Sequence, residues 1–432
     1  MPNAMKREIG LTGAVFMGLG SIVGTGVFVS IGIAAGVAGP NVLLAIFLAS
    51  LLAICNGLSS AQLAANHPVS GGTYEYGYRW LTPTLGFTAG WLFLCAKSAS
   101  AATALLGLAG YIYAFDSGAK HYPSVLTAIA LLAAVLLTGL TLFGIKRTNI
   151  VNSVIVAITL VSLVMFVGYG MPTALSRTEL NLEGMFAFDR QSSMNLLQAT
   201  ALMFVAYTGY GRIATLGEEV KQPRRTIPRA MIITLAATML LYLFVGFVAV
   251  ALVGPSELSN SVKTNIAPLL HAARSLDAPW LQTTMLLGAV TAMLGVVLNL
   301  ILGLSRVTLA MARRNDLPAS LSAIAPNGIP KRATILVAVV IAGLVLIGDV
   351  RISWSFSAFT VLLYYSLTNL CAILITQEAR LYPVWISWLG LIGCCSLAIW
   401  ITSSIVIAGL IVLTIGLVLR AALHSNVQSK NR

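Results

Sequence analysis

The sequence predicts an all-α, polytopic membrane protein of about twelve transmembrane helices, built from inverted repeats with helices 1 and 6 broken. Three observations carry this reading. Of 432 residues, 58% are hydrophobic and 9% charged, with mean hydropathy +0.91; a soluble domain would have too few charges to cover its surface. Apolar segments of about 20 residues recur along the whole chain, each long enough for a hydrocarbon core of roughly 30 Å. Two of these segments, five spans apart, are interrupted by glycines.

The first span, 11–35, follows a short basic start, Met1 to Gly10, with no cleavable signal pattern. It contains GLGSIVGTGVF, which places Gly18, Gly20, Gly24 and Gly26 in one turn-rich run. Glycine costs about 1 kcal/mol against alanine inside a helix. Such a run marks a helix that unwinds, or one that packs very closely on its neighbours through four-residue spacings such as Gly20, Gly24 and Gly32. Spans at 41–65, 86–113, 124–144 and 149–170 complete the first repeat. The sixth span, 193–216, contains VAYTGYGRIATLGEEV, with Gly209 and Gly211 again inside an apolar stretch. Spans at 229–253, 281–311, 333–348 and 353–376 complete the second repeat, and those at 383–400 and 402–422 follow it. Residues 1–216 thus hold the first repeat and the broken sixth helix, 217–376 the rest of the second repeat, and 377–432 two added helices and a tail.

Charge orients the chain. With the N-terminus cytoplasmic, the inner connections carry Lys6, Arg7, Arg79, Lys146, Arg147, Lys221, Arg224, Arg225, Arg229, Arg313, Arg314, Lys331, Arg332 and Arg380. The outer ones carry only Lys120, Arg177, Arg190, Lys263, Arg274 and Arg351. This asymmetry follows the positive-inside rule and puts both termini in the cytoplasm of a multi-pass cell-membrane protein. The net charge of +13 is therefore a topology signal; a nucleic-acid footprint would need clustering on one soluble face. The cysteines, Cys55, Cys95, Cys371, Cys394 and Cys395, lie within spans and have no metal-ligand spacing. No cofactor motif is present, and no nucleophile, base and orienter share one depth, which argues against an enzyme.

An unwound segment in lipid frees backbone N–H and C=O groups, which must line a cavity and meet a ligand. The start of the outer half-helix presents free amides and a positive dipole end, suited to a carboxylate. Carbonyls freed in the other broken helix suit an ammonium group. Two such breaks side by side make a receptor for a zwitterion.

The chain resembles the amino acid–polyamine–organocation superfamily, in particular bacterial amino acid permeases related to the cationic amino acid transporters. The likeness rests on GSIVGTGVF, on HPVSGGTYEY from His67, on AYTGYGRIATLGEEVKQPRRTIPRA from Ala206 and on GLSRVTLAMARRNDLPASLSAI from Gly303. It implies a five-plus-five inverted repeat of the LeuT type with two extra helices, and secondary transport of amino acids through the lipid bilayer. It also implies that Gly24, Thr25 and Gly26 meet the substrate carboxylate and that carbonyls around Val205, Ala206 and Thr208 meet the amino group. Tyr207 and Tyr210 would shape the pocket, or serve as ordinary packing. Lys97 and Ala101 on the third helix and Ser357 on the tenth would face the substrate side chain. Relatives that pair with a heavy chain carry a cysteine between the third and fourth spans. DSGAKHYP, 116–123, has none, so no disulfide-linked partner is expected.

The sequence departs from the family where ions couple. The fifth-helix lysine of proton-coupled relatives corresponds to Thr159. The carboxylate that follows the sixth-helix break in arginine/agmatine antiporters and cationic transporters corresponds to Gly211, and the eighth-helix hydroxyl pair of sodium-coupled relatives to Leu294 and Gly295. Lys97 remains, near mid-membrane in the third span. Three readings of it stay open: a carrier of the coupling proton, a contact for an acidic substrate side chain, or a structural cap on carbonyls at a break. Arg212, with Glu218 and Glu219, is a candidate gate or a solvated charged turn. With no Asp or Glu in the expected pocket, a cationic substrate would be desolvated without a partner. Neutral amino acids are the expected substrates, with the proton as coupling ion; an amino acid exchanger or a transporter of acidic amino acids is the alternative, and a transporter of other solutes on this fold a more remote one.

Overall fold

The structure, a computed structural model, describes residues 9–69, 71–115, 123–143, 149–214, 220–325 and 328–430. Among the described residues the chain is helical, with no β-strand beyond one isolated bridge between Ile9 and Val220. The first span is three pieces: α1 (Leu11–Ile22), α2 (Thr25–Phe28) and α3 (Ser30–Ala38). Gly18 and Gly20 sit inside regular α1, where they let Ile213, Thr234, Asn152 and Val156 approach its backbone. The chain unwinds at Val23 and Gly24 and steps out of the helix once more at Val29. The glycine run therefore does both things that such runs can do.

A short turn leads into α4 (Val42–Asn66), and α5 (Thr73–Trp80) is a helix between spans that periodicity does not announce. Next come α6 (Pro83–Phe115), α7 (Pro123–Leu142) and α8 (Asn149–Ser176), then the single turn α9 (Thr178–Asn181). The sixth span starts at a capping box: the Ser192 amide donates to Asp189 Oδ1 at 2.6 Å and the Asp189 amide to Ser192 Oγ at 2.8 Å. It runs as α10 (Arg190–Tyr207), opens into a tight turn at 208–210, and resumes as α11 (Gly211–Ala214). The second repeat continues with α12 (Pro223–Thr264), the short α13 (Pro268–Arg274), α14 (Pro279–Arg313), α15 (Lys331–Ile347) and α16 (Val350–Ile373). Outside the repeats lie α17 (Val384–Ile399) and α18 (Ser403–Lys430). The seventh span, expected to end at 253, bends there: Gly254 takes φ +80° ahead of Pro255, and the helix then runs on to Thr264.

Eight of the described helical stretches are long and apolar enough to cross a membrane. Each of the twelve expected spans coincides with a helix or with one of the two broken ones. The core forms where α6 packs on α14 and α16, and where α4 packs on α10 and α12. Large apolar side chains such as Leu132, Val135, Val164, Val339 and Val418 face outward, as lipid-facing surface requires. Hydrogen bonds add to apolar packing in tying α17 to the repeats. Ser387 pairs with Ser59 at 2.9 Å, and Cys394 Sγ donates to Asn56 Oδ1 at 3.4 Å, whose other partner is Asn369 Nδ2 of α16 at 2.6 Å.

The Gly254 bend makes a stability prediction. A side chain at φ +80° is strained by about 1–3 kcal/mol. Gly254→Ala is expected to lower the thermal midpoint in detergent. Gly343→Ala, where an added methyl meets nothing within 4 Å, is expected to leave it unchanged or raise it. Equal losses in both variants would contradict the assignment.

Candidate functional site

The two breaks meet backbone to backbone. A Cβ on Gly26 would lie 2.8 Å from Ala206 Cα and 3.0 Å from its carbonyl oxygen. A Cβ on Gly209 would overlap the Ser21 carbonyl. Gly24 has an extended backbone that any residue could adopt, but a Cβ there would lie 2.6 Å from Val296 Cγ2. Proximity, more than backbone freedom, demands glycine at these positions.

Tyrosines satisfy the carbonyls released at the breaks. Tyr242 Oη donates to Ile22 O at 2.9 Å and lies 3.4 Å from Ala206 O, while Tyr365 Oη donates to Thr208 O at 3.2 Å. Trp354 Nε1 donates to Leu202 O at 3.0 Å, fixing its indole beside the sixth-helix break. On the donor side, the amides of Val27 and Phe28 both reach Gly24 O at 3.1 Å. Thr25 and Gly26 begin α2, so their amides have no intrahelical acceptor.

Between the breaks lies a chamber of about 40 Å³, lined by Thr25, Gly26, Lys97, Ser100, Val205, Ala206, Thr208, Val296, Leu300 and Trp354 among others. Thr25 Oγ1 is buried there without a hydrogen-bond partner. Lys97 Nζ donates to Thr208 Oγ1 at 2.9 Å, and Thr208 Oγ1 donates to Val205 O at 2.8 Å. The lysine thus touches the sixth-helix break and the chamber together. Its neighbours Ser21, Thr208, Gly209, Val296 and Leu300 also line a vestibule of about 630 Å³. That vestibule runs to the end of the molecule carrying Gly71, Gly72, Glu75, Arg313, Arg314 and Pro330. On the other side of the breaks, Tyr111 ties α2 to α13. Tyr111 Oη donates to Phe28 O at 2.7 Å and accepts from the Leu269 amide at 3.2 Å, with its ring edge-on to Phe28 at 5.8 Å.

The structure brings Thr25, Gly26, Val205, Ala206, Thr208 and Lys97 together, with Gly24 directly beneath. Ala101 and Ser357 are fully buried behind the chamber wall. Ser357 Oγ donates to Ala96 O at 2.9 Å and lies 2.8 Å from Ser100 Oγ, so Ser100 is the hydroxyl that faces the chamber. Tyr207 turns away, its hydroxyl 3.3 Å from Ile46 O and its ring 5.1 Å from that of Tyr242. Tyr210 packs on Tyr365 at 5.4 Å. Thr159 donates to Ile155 O at 2.9 Å and lies 3.5 Å from Gly288 O, on the flank of α14. The α14 groups nearest Gly24 are Val296 and the Ala292 carbonyl; neither residue bears a hydroxyl.

Arg212 lines the vestibule, while Glu218 and Glu219 lie outside the described residues. At the vestibule rim, Glu75 pairs with Arg314, whose guanidinium lies over the Tyr78 ring at 4.3 Å and the Tyr74 ring at 5.5 Å. Burial pushes the Glu75 carboxyl up and the Arg314 charge pulls it back. Sequence reasoning missed this pair, Ser100, Trp354 and the two carbonyl-capping tyrosines. Ser100 was within reach, one helical turn from Lys97 on the same face.

Two broken helices crossing at a buried chamber, within inverted repeats, are the architecture of a LeuT-type fold. The model of the amino acid permease family matches residues 13–429, and the chain belongs to that family. It is 39% identical over 424 residues to an uncharacterized transporter of Mycobacterium tuberculosis, covering 96% of this chain and 91% of the relative. It is 27% identical over 340 residues to the branched-chain amino acid permease BcaP of Bacillus subtilis, covering 75% and 71%. The crystal structure of MhsT in complex with L-phenylalanine shares the fold, with a TM-score of 0.61 at 16% identity over 94% of this chain and 100% of the other. The chain is thus an amino acid transporter embedded in the membrane, and its family and relatives are permeases, not enzymes.

The backbone contact between the breaks generates a test. Gly26→Leu is expected to cut uptake at least a hundredfold while the protein still inserts in the membrane, because the side chain would force Ala206 away. Uptake with unchanged affinity in that variant would remove the first break from the site.

Proposed function

We propose that the protein is a proton-coupled transporter of neutral amino acids in the cell membrane, with Lys97 as the proton carrier and the vestibule on the cytoplasmic side. The observation that carries this reading is Lys97 Nζ on Thr208 Oγ1, at the junction of the chamber, the vestibule and the sixth-helix break. The substrate carboxylate takes the Thr25 and Gly26 amides and the unpartnered Thr25 hydroxyl. The ammonium group takes the carbonyls of Val205 and Ala206.

Among the described residues no carboxylate lines the chamber. A cationic side chain would be desolvated there without a partner and repelled by Lys97. Val296, Leu300 and Trp354 form the apolar part of the wall, which suits a neutral side chain. Sodium lacks the hydroxyl ligands on α14 beside the first break. A proton on Nζ supplies the alternative: charged Lys97 holds Thr208 and the break together through a charge-assisted bond, and its neutral form weakens that contact and leaves no uncompensated charge in the core. The positive-inside asymmetry supports a cytoplasmic side for Arg313, Arg314 and both termini.

Proteoliposomes loaded with buffer and given a pH gradient test this reading. Neutral amino acids are expected to accumulate without sodium. Lys97→Met is expected to abolish that accumulation and to spare exchange of labelled substrate across the membrane. Accumulation in the Lys97→Met variant equal to that of the unmodified protein, strict sodium dependence, or a preference for acidic amino acids would each contradict the proposal.

A further inference from the structure

Asp316 is completely buried just past the end of α14, and no step described above uses it. Its Oδ2 accepts from Tyr74 Oη at 2.9 Å and Tyr78 Oη at 2.5 Å, both on α5. Its Oδ1 accepts from Arg420 Nε at 2.8 Å and faces His424 Nε2 at 3.5 Å, both on α18. Arg420 Nη1 also donates to Thr84 Oγ1 at 2.9 Å in the first turn of α6, and its guanidinium lies 5.4 Å from the Phe87 ring centroid. One carboxylate thus joins α5, α6, the end of α14 and a terminal helix that belongs to neither repeat.

The elements it joins form the vestibule mouth. Gly71, Gly72 and Glu75 line it at α5, and Arg306, Arg313 and Arg314 line it from α14. Tyr74 is next to Glu75 in the chain and Asp316 is two residues past Arg314, so the bonds to Asp316 set the spacing of the Glu75–Arg314 pair at the rim. A fully buried carboxylate is tolerated only with a counter-charge and satisfied lone pairs. The tyrosines supply hydrogen bonds and Arg420 supplies a permanent charge.

We infer that Arg420 is a positioning residue for transport: from a helix outside the repeats it neutralises Asp316, which then holds α5 against α14 and keeps the vestibule mouth in shape. The inference rests on the reading of the chain as an amino acid transporter only for its uptake arm.

Two readouts test it in proteoliposomes. One is uptake of neutral amino acids. The other is the rate at which a membrane-impermeant thiol reagent, supplied on the vestibule side, labels Gly303→Cys in a chain whose five native cysteines are replaced. Gly303 lines the vestibule, and a Cβ there meets nothing within 4 Å. Arg420→Ala is expected to slow uptake at least tenfold and to change the labelling rate at least threefold. Adding Asp316→Asn to Arg420→Ala removes the unpaired charge and is expected to recover uptake at least threefold over Arg420→Ala alone. Unchanged labelling in Arg420→Ala, or a further loss in the double variant, would overturn the inference. If Arg420→Ala fails to reach the membrane, the double variant decides alone: insertion supports the inference and failure to insert overturns it. Absence of any amino acid uptake by the unmodified protein would count against the proposed function and leave the labelling result standing.

Discussion

Everything at the centre of this molecule depends on two helix breaks whose flanking backbones touch. Gly26 lies against Ala206 and Gly209 against the Ser21 carbonyl, at distances that leave no room for a side chain. The contact fixes where helix 1 and helix 6 cross. It also concentrates in one place the polar groups that a regular helix would consume. In hydrocarbon each unsatisfied group would cost several kcal/mol. The fold therefore has to provide partners for the groups it frees, and it provides them asymmetrically. Tyr242 and Tyr365 cap the carbonyls of Ile22 and Thr208, whereas the amides at the start of α2 and the hydroxyl of Thr25 have no such partner. The uncapped groups are donors, and donors suit a carboxylate.

The same logic explains the placement of charge. Lys97 adds a cation to a region already rich in donors, and its bond to Thr208 ties it to the sixth-helix break. A second ring of charge lies at the aqueous end, where Glu75, Arg314, Asp316 and Arg420 connect α5, α14 and α18. The inner ring bears on what is bound and the outer one on the shape of the entrance. Helices outside the repeats serve as braces: α17 is tied through Ser387 and Cys394, and α18 through Arg420.

Most of the fold was legible in the sequence, because membrane spans are written as apolar length and the breaks as glycines within it. The 229–253 span ended where Gly254 bends the chain, since hydropathy falls at the same residues that allow the bend. What stayed hidden depended on rotation about a helix axis. Ser357 and Ser100 are both serines on core helices, and only the packing of α16 on α6 decides that Ser100 faces the chamber. Tyr207 and Tyr210 flank the sixth-helix break in sequence, yet their rings turn toward Tyr242 and Tyr365. The capping tyrosines lie 36 and 157 residues from the carbonyls of helix 6 they approach, distances over which no local pattern speaks. Asp316 sits inside a family-like stretch, but its partner Arg420 lies in an unremarked terminal helix.

The most direct test of this account is an experimental structure of the protein with a neutral amino acid bound. The account predicts the ligand carboxylate within hydrogen-bond distance of the Thr25 and Gly26 amides, and its ammonium group on the Val205 and Ala206 carbonyls. A ligand bound in the vestibule, away from both breaks and with the Gly26–Ala206 contact intact beneath it, would contradict the account.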